Sequence, residues 1–178
     1  VGFGTFRITE RDAVVKAMAD AVAAGYRHFD TATRYENEAF VGEGIANCGL
    51  KREELFITSK VWTTERGYEK TLKAFNYSLK ELKLDYLDMY LIHWPAVKGD
   101  PKFWQAENRE TWRAMEKLYR EGLIRAIGVC NFLPHHLSPL MESAEIQPMV
   151  DQIEHHPGYT QNETVQFCKE HGIQVEAW

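Results

Sequence analysis

Four side chains of different chemical types stand at or just after the ends of short apolar runs: Asp30, Tyr35, Lys60 and His93. A phenol with a pKa of about 10 is a poor proton donor at neutral pH, and an ammonium group beside its oxygen would lower that pKa. A carboxylate would keep the ammonium charged, and an imidazole would hydrogen-bond a substrate oxygen. This set predicts proton transfer to a polarised carbonyl, which becomes a reduction when a hydride carrier is added.

Each of these residues also has a structural interpretation when it is taken alone. Asp30 is then a turn or cap residue, Tyr35 a half-buried surface aromatic and His93 a structural histidine. Lys60 is then a solvated strand end, although the segment SKVW at 59–62 places it beside apolar residues. All four interpretations would have to hold at the same end of successive strands. We therefore prefer a shared reaction site.

The chain around these residues alternates amphipathic helical patterns with short β-branched or aromatic runs. Thr9 and Asp12 predict a variant capping box at the first helix, the second helix is predicted over 38–47, and Pro134 is predicted to open the fifth. Seven strand-like runs, from VGFGTF to IQVEAW, predict an α/β fold with parallel strands. A doubly wound sheet would gather its site at one switch point. Polar residues at every strand end favour a (β/α)8 barrel instead.

The composition is typical of one globular domain. The chain has 178 residues, of which 44% are hydrophobic and 26% charged, and its formal net charge is −5. No basic stripe suggests nucleic acid, and neither a membrane span nor an N-terminal signal is recognisable. Three separated cysteines, Cys48, Cys130 and Cys168, argue against disulfides and for the reducing cytoplasm. We expect a cytoplasmic monomer that acts on a small molecule, without nucleic-acid or membrane partners.

Five segments, in this order, resemble the aldo-keto reductase family: HFDTATRYENE, ITSKVW, YLIHWP, IGVCNF and QIEHHP. The resemblance covers essentially the whole chain, and five motifs in register are far more specific than one. It implies a (β/α)8 TIM barrel that uses NADPH, or NADH, without a Rossmann domain. The glycines of VGFGT and VGEGI lack the strand-then-helix context of a dinucleotide fingerprint.

The length predicts an incomplete barrel. About 250 residues are typical of eight strands, so we expect a single domain over 1–178 with about seven strands. The C-terminal strand and helices would be missing. The family's basic segment that binds the 2′-phosphate of NADP would be missing with them, so the sequence does not decide between NADPH and NADH.

The resemblance also implies a role for each matching residue. Tyr35 would be the general acid, Lys60 and Asp30 would tune it, and His93 would orient the substrate. Asn131 and Gln152 would hold the nicotinamide carboxamide, while Trp178 would stack on the ring. The implied cofactor-binding residues are Gly4, Thr5, Asp30, Cys130, Asn131, Gln152 and Trp178. The implied substrate-binding residues are Phe6, Trp62, His93 and Trp94, with the loop around Phe103 and Trp104 completing the wall.

Cys130 departs from the family pattern, which has serine at this position. A thiol is the weaker hydrogen-bonding group, so one contact to the carboxamide should weaken, and the thiol would be oxidisable if exposed. The pairs His135–His136 and His155–His156 look like metal ligands. Adjacent side chains seldom converge on one ion, however, and we predict no metal site.

The leading hypothesis is an NAD(P)H-dependent oxidoreductase that reduces aldehydes or ketones to alcohols. The alternative is a cofactor-binding regulatory or interaction protein on the same barrel with little turnover, because a fold does not determine a function. A fragment that no longer folds alone is a third alternative.

Overall fold

Strands and helices alternate from one end of the chain to the other. The computed structural model describes residues 1–96 and 103–178. The strands are β1 (Gly2–Gly4), β2 (His28–Asp30), β3 (Phe56–Val61), β4 (Leu87–Ile92), β5 (Ile124–Cys130), β6 (Val150–Ile153) and β7 (Gln174–Ala177). The α-helices are α1 (Arg11–Ala23), α2 (Glu38–Asn47), α3 (Tyr68–Leu82), α4 (Trp104–Arg120), α5 (Pro134–Ser143) and α6 (Asn162–Glu170). Short 3₁₀ turns lie at Thr33–Tyr35, Arg52–Glu54 and Thr63–Glu65.

All seven predicted strands form one parallel sheet in the order β1-β2-β3-β4-β5-β6-β7. Each strand pairs with the next strand along the chain, so the described sheet has no point at which the strand order reverses. A doubly wound sheet requires such a reversal, whereas a (β/α)8 barrel has sequential order. The predicted fold class is confirmed.

The sheet is strongly curled. Strands lie about 4.8 Å apart in the hydrogen-bonding direction, so β2 and β6 would be about 19 Å apart in a flat sheet. The amide of Gln152 on β6 nevertheless donates a hydrogen bond of 2.9 Å to the carboxylate of Asp30 on β2. This contact closes the C-terminal ends of the strands around a shared interior.

The helix boundaries agree with the sequence patterns in most places. Helix α2 spans the predicted residues 38–47, and Pro134 occupies the first turn of α5. Gly25 follows α1 with φ of 95°, a left-handed conformation that suits glycine at a helix C-terminus. The capping box predicted from Thr9 and Asp12 is wrong, because α1 begins at Arg11 and no side chain caps its N-terminus.

The helices cover the outside of the sheet and bury its apolar residues. Val14 and Met18 of α1, Phe75 of α3 and Trp112 of α4 are all at most 1% exposed. Helices α2 and α3 approach closely at Gly42, where an added Cβ would lie 2.6 Å from the carbonyl oxygen of Leu82. Glycine is therefore required there by packing.

A buried carboxyl group also lies between these helices and the sheet. Glu38 of α2 is 4% exposed, and it accepts hydrogen bonds from the hydroxyls of Ser59 on β3, at 2.6 Å, and Ser78 on α3, at 3.0 Å. Burial raises the pKa of Glu38 from 4.5 to about 7, although both hydroxyls act in the opposite direction. One carboxyl group thus joins three elements.

This raised pKa predicts a pH dependence of stability. As pH rises from about 4.5 to 7, the unfolded chain releases the Glu38 proton first, so the folded state loses stability over this window. The loss that this group causes is at most about 3 kcal/mol. Glu38→Gln should remove this loss. Urea unfolding of the full-length protein should therefore show a smaller decline in the free energy of unfolding from pH 5 to pH 8 for the variant than for the wild type.

Glu69→Gln is the matched control, because Glu69 is exposed in the first turn of α3. We expect it to follow the wild type at both pH values. If the free energy of unfolding declines equally in the wild type and in Glu38→Gln, the buried carboxyl group does not contribute to the pH dependence of stability.

Candidate active site

The carboxyl ends of the strands surround a cavity of about 860 Å³. Every strand, or the loop that follows it, contributes to the lining. The volume lies within the range of small-molecule sites. Most of the residues predicted from strand ends meet here, because parallel strands deliver their C-terminal residues to one face.

Lys60 lies beneath the cavity on β3 and is 0% exposed. Its ammonium group donates to the carboxylate of Asp30, to the carbonyl oxygen of Thr31 at 3.1 Å and to the hydroxyl of Tyr35 at 3.3 Å. An ammonium has three N–H donors, so each of them has an acceptor. Burial is the largest single effect and lowers the pKa of Lys60, but the charges of Asp30, Tyr35 and Cys130 and the hydrogen bond to Asp30 together outweigh it, so the net pKa is raised. Lys60 is therefore a charged, fixed group.

Tyr35 ends the 3₁₀ turn after β2 and lines the cavity. Burial raises the pKa of its phenol, while the charge of Lys60 lowers it. The sequence predicted that Lys60 would lower this pKa. The direction of that contribution is confirmed, but burial is the larger effect and the net pKa is raised. The phenol is thus protonated at neutral pH.

His93 follows β4, and its ring meets those of Tyr35 and Trp62 edge to face, with centroid distances of 5.6 and 5.0 Å. Burial, followed by the charges of Lys60 and Arg34, lowers the pKa of His93 to about 3. The imidazole is neutral at working pH. It faces the cavity beside the phenol, as a group that can hydrogen-bond a ligand oxygen.

Asn37 holds the turn that carries Tyr35, a role that the sequence did not predict. Its buried amide donates to the carbonyl oxygens of Thr5, at 2.9 Å, and Ile8, at 3.0 Å, and accepts from the hydroxyl of Thr31 at 3.1 Å. An asparagine before a helix predicts an ordinary N-cap. Asn37 is at the N-cap of α2 but makes no side-chain cap bond. It ties the Tyr35 turn to the loop after β1 instead.

Two of the predicted cofactor-binding amides line the cavity, and hydrogen bonds to neighbouring groups hold each of them. Gln152 donates to Asp30 at 2.9 Å and to Glu176 at 2.6 Å. Asn131 donates to the carbonyl oxygen of His93 at 2.9 Å and accepts from the indole of Trp178 at 2.9 Å.

Two residues beside these amides leave room for a ligand. Trp178 is 53% exposed and lines the cavity. Gly4 also lines it, and a Cβ at this position would meet nothing within 4 Å. An open glycine and an open indole face are suited to a flat ring, so these residues fit the nicotinamide that the resemblance implies.

Not every predicted residue reaches the cavity. Thr5 is fully buried behind it, where its hydroxyl donates to the carbonyl oxygen of Asp30 at 3.1 Å. Among the predicted aromatics, Phe6, Trp62 and Trp94 line the cavity. Trp104 packs against His136 instead, Phe103 is exposed at the start of α4, and part of the predicted loop, 97–102, lies outside the described residues.

Within the described part of the chain, six lining residues were not singled out from the sequence, and three of them have ionisable side chains: His28, Arg34 and Glu176. Glu176 could have been found, because it alternates with Gln174 near the end of the last strand-like run. Arg34 could not have been distinguished from a solvated loop residue.

Cys130 lines the cavity but is only 2% exposed. It accepts a hydrogen bond from the amide of Asn131 at 3.1 Å and lies 3.7 Å from the amide oxygen of Gln152. Burial raises the pKa of its thiol well above the usual value. The thiol is therefore buried and protonated. Oxidation was expected only of an exposed Cys130, and the thiolate is the reactive form, so neither condition for oxidation is met.

The predicted metal-like pairs, His135–His136 and His155–His156, contact neighbouring protein groups. His136 packs against Phe132 and Trp104, while His155 binds the carbonyl oxygen of Thr160. Within residues 1–96 and 103–178, no group of three or more His, Cys, Asp or Glu side chains is placed to hold a metal ion. No helix in this part of the chain is long and apolar enough to cross a membrane.

Known proteins resemble the chain over its whole length. The model of the aldo/keto reductase family matches residues 1–178. A glyoxal reductase of Bacillus subtilis (strain 168) is 53% identical over 177 residues, which are 99% of this chain and 61% of that protein. The chain thus spans less than two thirds of this relative.

Solved structures show the same similarity. An aldo/keto reductase from Brucella melitensis superposes with a TM-score of 0.92 at 45% identity, covering 99% of this chain and 66% of that one. An aldo-keto reductase of Bombyx mori, solved in complex with NADP, gives a TM-score of 0.90 at 39% identity, covering 100% of this chain and 61% of that one.

The contacts of Asn37 predict that its side chain stabilises the Tyr35 turn. Asn37→Ala would remove a donor from each of the carbonyl oxygens of Thr5 and Ile8 and the acceptor of the buried Thr31 hydroxyl, so we expect a loss of about 2–4 kcal/mol in the free energy of unfolding. Hydrogen exchange should accelerate at the amides of Tyr35 and Glu36, which donate within the turn.

Asn76→Ala is the matched control, because Asn76 is exposed on α3. It should leave stability and exchange in the turn unchanged. Equal behaviour of the two variants would refute the anchoring role of Asn37.

Proposed function

This chain belongs to the aldo/keto reductase family, and we propose that the protein reduces aldehyde or ketone carbonyls to alcohols with NADPH. The observation that carries the proposal is the buried Lys60 ammonium, which binds both the Asp30 carboxylate and the Tyr35 hydroxyl at the wall of the cavity. Such a constellation serves proton transfer. A protein that only binds a ligand has no need of it.

Tyr35 is the proton donor in this proposal. Its phenol is protonated at neutral pH and lines the cavity, so it can donate to a carbonyl oxygen. As the proton leaves, negative charge develops on the phenolic oxygen. The ammonium of Lys60, 3.3 Å away, stabilises that charge more than it stabilises the neutral phenol.

Asp30 and His93 have supporting roles. The Asp30 carboxylate keeps the buried ammonium charged and oriented. The neutral His93 imidazole, edge to face with Tyr35, can hydrogen-bond the carbonyl oxygen and orient it towards the phenol. A neutral histidine leaves the proton transfer to Tyr35, because no imidazolium competes as the acid.

The cofactor site is proposed from residues of this chain. Asn131 and Gln152 supply amide groups for the carboxamide, Trp178 supplies a stacking face, and Gly4 leaves space for close approach. NADPH supplies a hydride to the carbonyl carbon when it is bound. The Bombyx mori relative was solved with NADP, which supports NADPH over NADH.

The substrate is proposed to be a small carbonyl compound with a moderately apolar body. Phe6, Trp62 and Trp94 offer aromatic surface at the cavity, and the Bacillus subtilis relative is named for glyoxal reduction. We propose a cytoplasmic location, because Cys48, Cys130 and Cys168 are free thiols and the cytoplasm keeps thiols reduced. The monomeric state stays a prediction.

Tyr35→Phe tests the assigned acid, because it removes only the hydroxyl. We expect kcat to fall by about 10²- to 10⁴-fold in the full-length protein, measured as loss of NADPH absorbance with a panel of aldehydes. NADPH binding, measured by fluorescence, should persist. Tyr77→Phe is the matched control, because Tyr77 is exposed on α3 and should keep wild-type kcat.

Two results would contradict the proposal in different ways. Wild-type kcat in Tyr35→Phe would show that another group is the acid. Cofactor binding by the wild type with no turnover of any carbonyl would instead support the regulatory or interaction protein.

A further inference from the structure

Arg34 places a cationic group at the cavity beside the proposed proton donor. It precedes Tyr35 in the 3₁₀ turn, lines the cavity, and its guanidinium lies over the Trp62 ring, 5.6 Å from the ring centroid. A guanidinium over an indole is held by a cation–π contact. Trp62 also contacts His93, so this charge lies on the side of the cavity where a substrate would meet the imidazole.

The other charges of the cavity are already engaged. Asp30 binds Lys60 and Gln152, and Glu176 accepts from Gln152. Lys60 lies beneath the cavity and is fully buried. Among the described residues, Arg34 is the only lysine or arginine that lines the cavity.

The ion pair of Arg34 leaves it available to a ligand. Its partner, Glu36, lies 3.1 Å away, and the two side chains are 54% and 80% exposed. Ion pairs between exposed side chains contribute little, because water screens both charges. The guanidinium has five N–H donors, and the Glu36 contact uses one of its terminal nitrogens. A bound carboxylate can therefore reach the remaining donors of Arg34 without first breaking the contact with Glu36.

We propose that Arg34 makes the site selective for carbonyl compounds that carry a carboxylate, such as aldehyde acids and keto acids. This inference rests on the proposed function, since it names the substrate class of the same site. A planar guanidinium matches a carboxylate in a bidentate arrangement that an ammonium cannot form. A single guanidinium also balances one negative charge, which suits a carboxylate better than a phosphate dianion.

The test compares two substrates that differ in one charge, 4-carboxybenzaldehyde and its methyl ester, with the full-length protein. We expect wild-type kcat/KM to favour the acid by about tenfold, the value of one charge-assisted hydrogen bond. Arg34→Gln should abolish this preference, mainly through KM for the acid, and Arg34→Lys should restore part of it. Arg113→Gln should keep the wild-type preference, because Arg113 pairs with Glu110 on the surface of α4.

A binding measurement separates this inference from the proposed function. Calorimetry should show that Arg34→Gln binds 4-carboxybenzaldehyde about tenfold more weakly than the wild type. If Arg34→Gln binds the acid more weakly but the wild type turns over no carbonyl compound, the carboxylate site is supported and the proposed reductase is refuted. Equal binding by the two proteins, or an unchanged acid-to-ester preference in the variant, would overturn the inference about Arg34.

Discussion

The ion pair between the fully buried Lys60 and the partly buried Asp30 is the constraint on which the site depends. Removing an ammonium from water is costly, so the chain must supply acceptors at the point of burial. Two acceptors come from the end of β2 and the loop that follows: the Asp30 carboxylate and the Thr31 carbonyl oxygen. They lie within reach because Asp30 pairs in register with Thr58, two residues before Lys60. The third acceptor is the Tyr35 hydroxyl. The same contacts that make burial of the lysine tolerable therefore also hold the phenol, and loss of one partner would leave an uncompensated charge in the interior.

Burial and one fixed positive charge together separate the roles of the neighbouring groups. Together with burial, this charge lowers the pKa of His93, so the imidazole stays neutral. It opposes the effect of burial on Tyr35 without reversing it, so the phenol keeps its proton until a base, such as a carbonyl oxygen that gains charge, can take it. Groups whose environments push their pKa values in different directions can divide acid and orienting roles at one pH. Here burial supplies the difference, because it raises the pKa of the phenol and lowers that of the imidazole, while the ammonium lowers both.

The fold and the composition of the site could be predicted because they follow from a repeated pattern. Parallel strands share a carboxyl edge, so the polar residue that ends each apolar run, such as Lys60, His93 or Gln152, had to reach the same face. The net pKa of Tyr35 could not be predicted, because burial is a property of the packed structure. Asn37 was missed for a similar reason. Its position before α2 predicts a cap, and only the pairing of β1 with β2 brings the loop after β1 within reach of its amide.

The segment RYEN, residues 34–37, shows why neighbours in sequence can have separate functions. Arg34 and Tyr35 lie in the 3₁₀ turn, where each residue is rotated by about 120° from the last, and Glu36 follows in a left-handed conformation with φ of 58°. Successive side chains therefore enter different surroundings. Arg34 lies over Trp62, Tyr35 meets Lys60, Glu36 is solvated and Asn37 is buried against the loop after β1. Charge at the cavity, proton donation and anchoring of the turn thus reside on adjacent residues with few shared contacts. Selectivity at position 34 can vary without moving the phenol, provided that Asn37 keeps the turn in place.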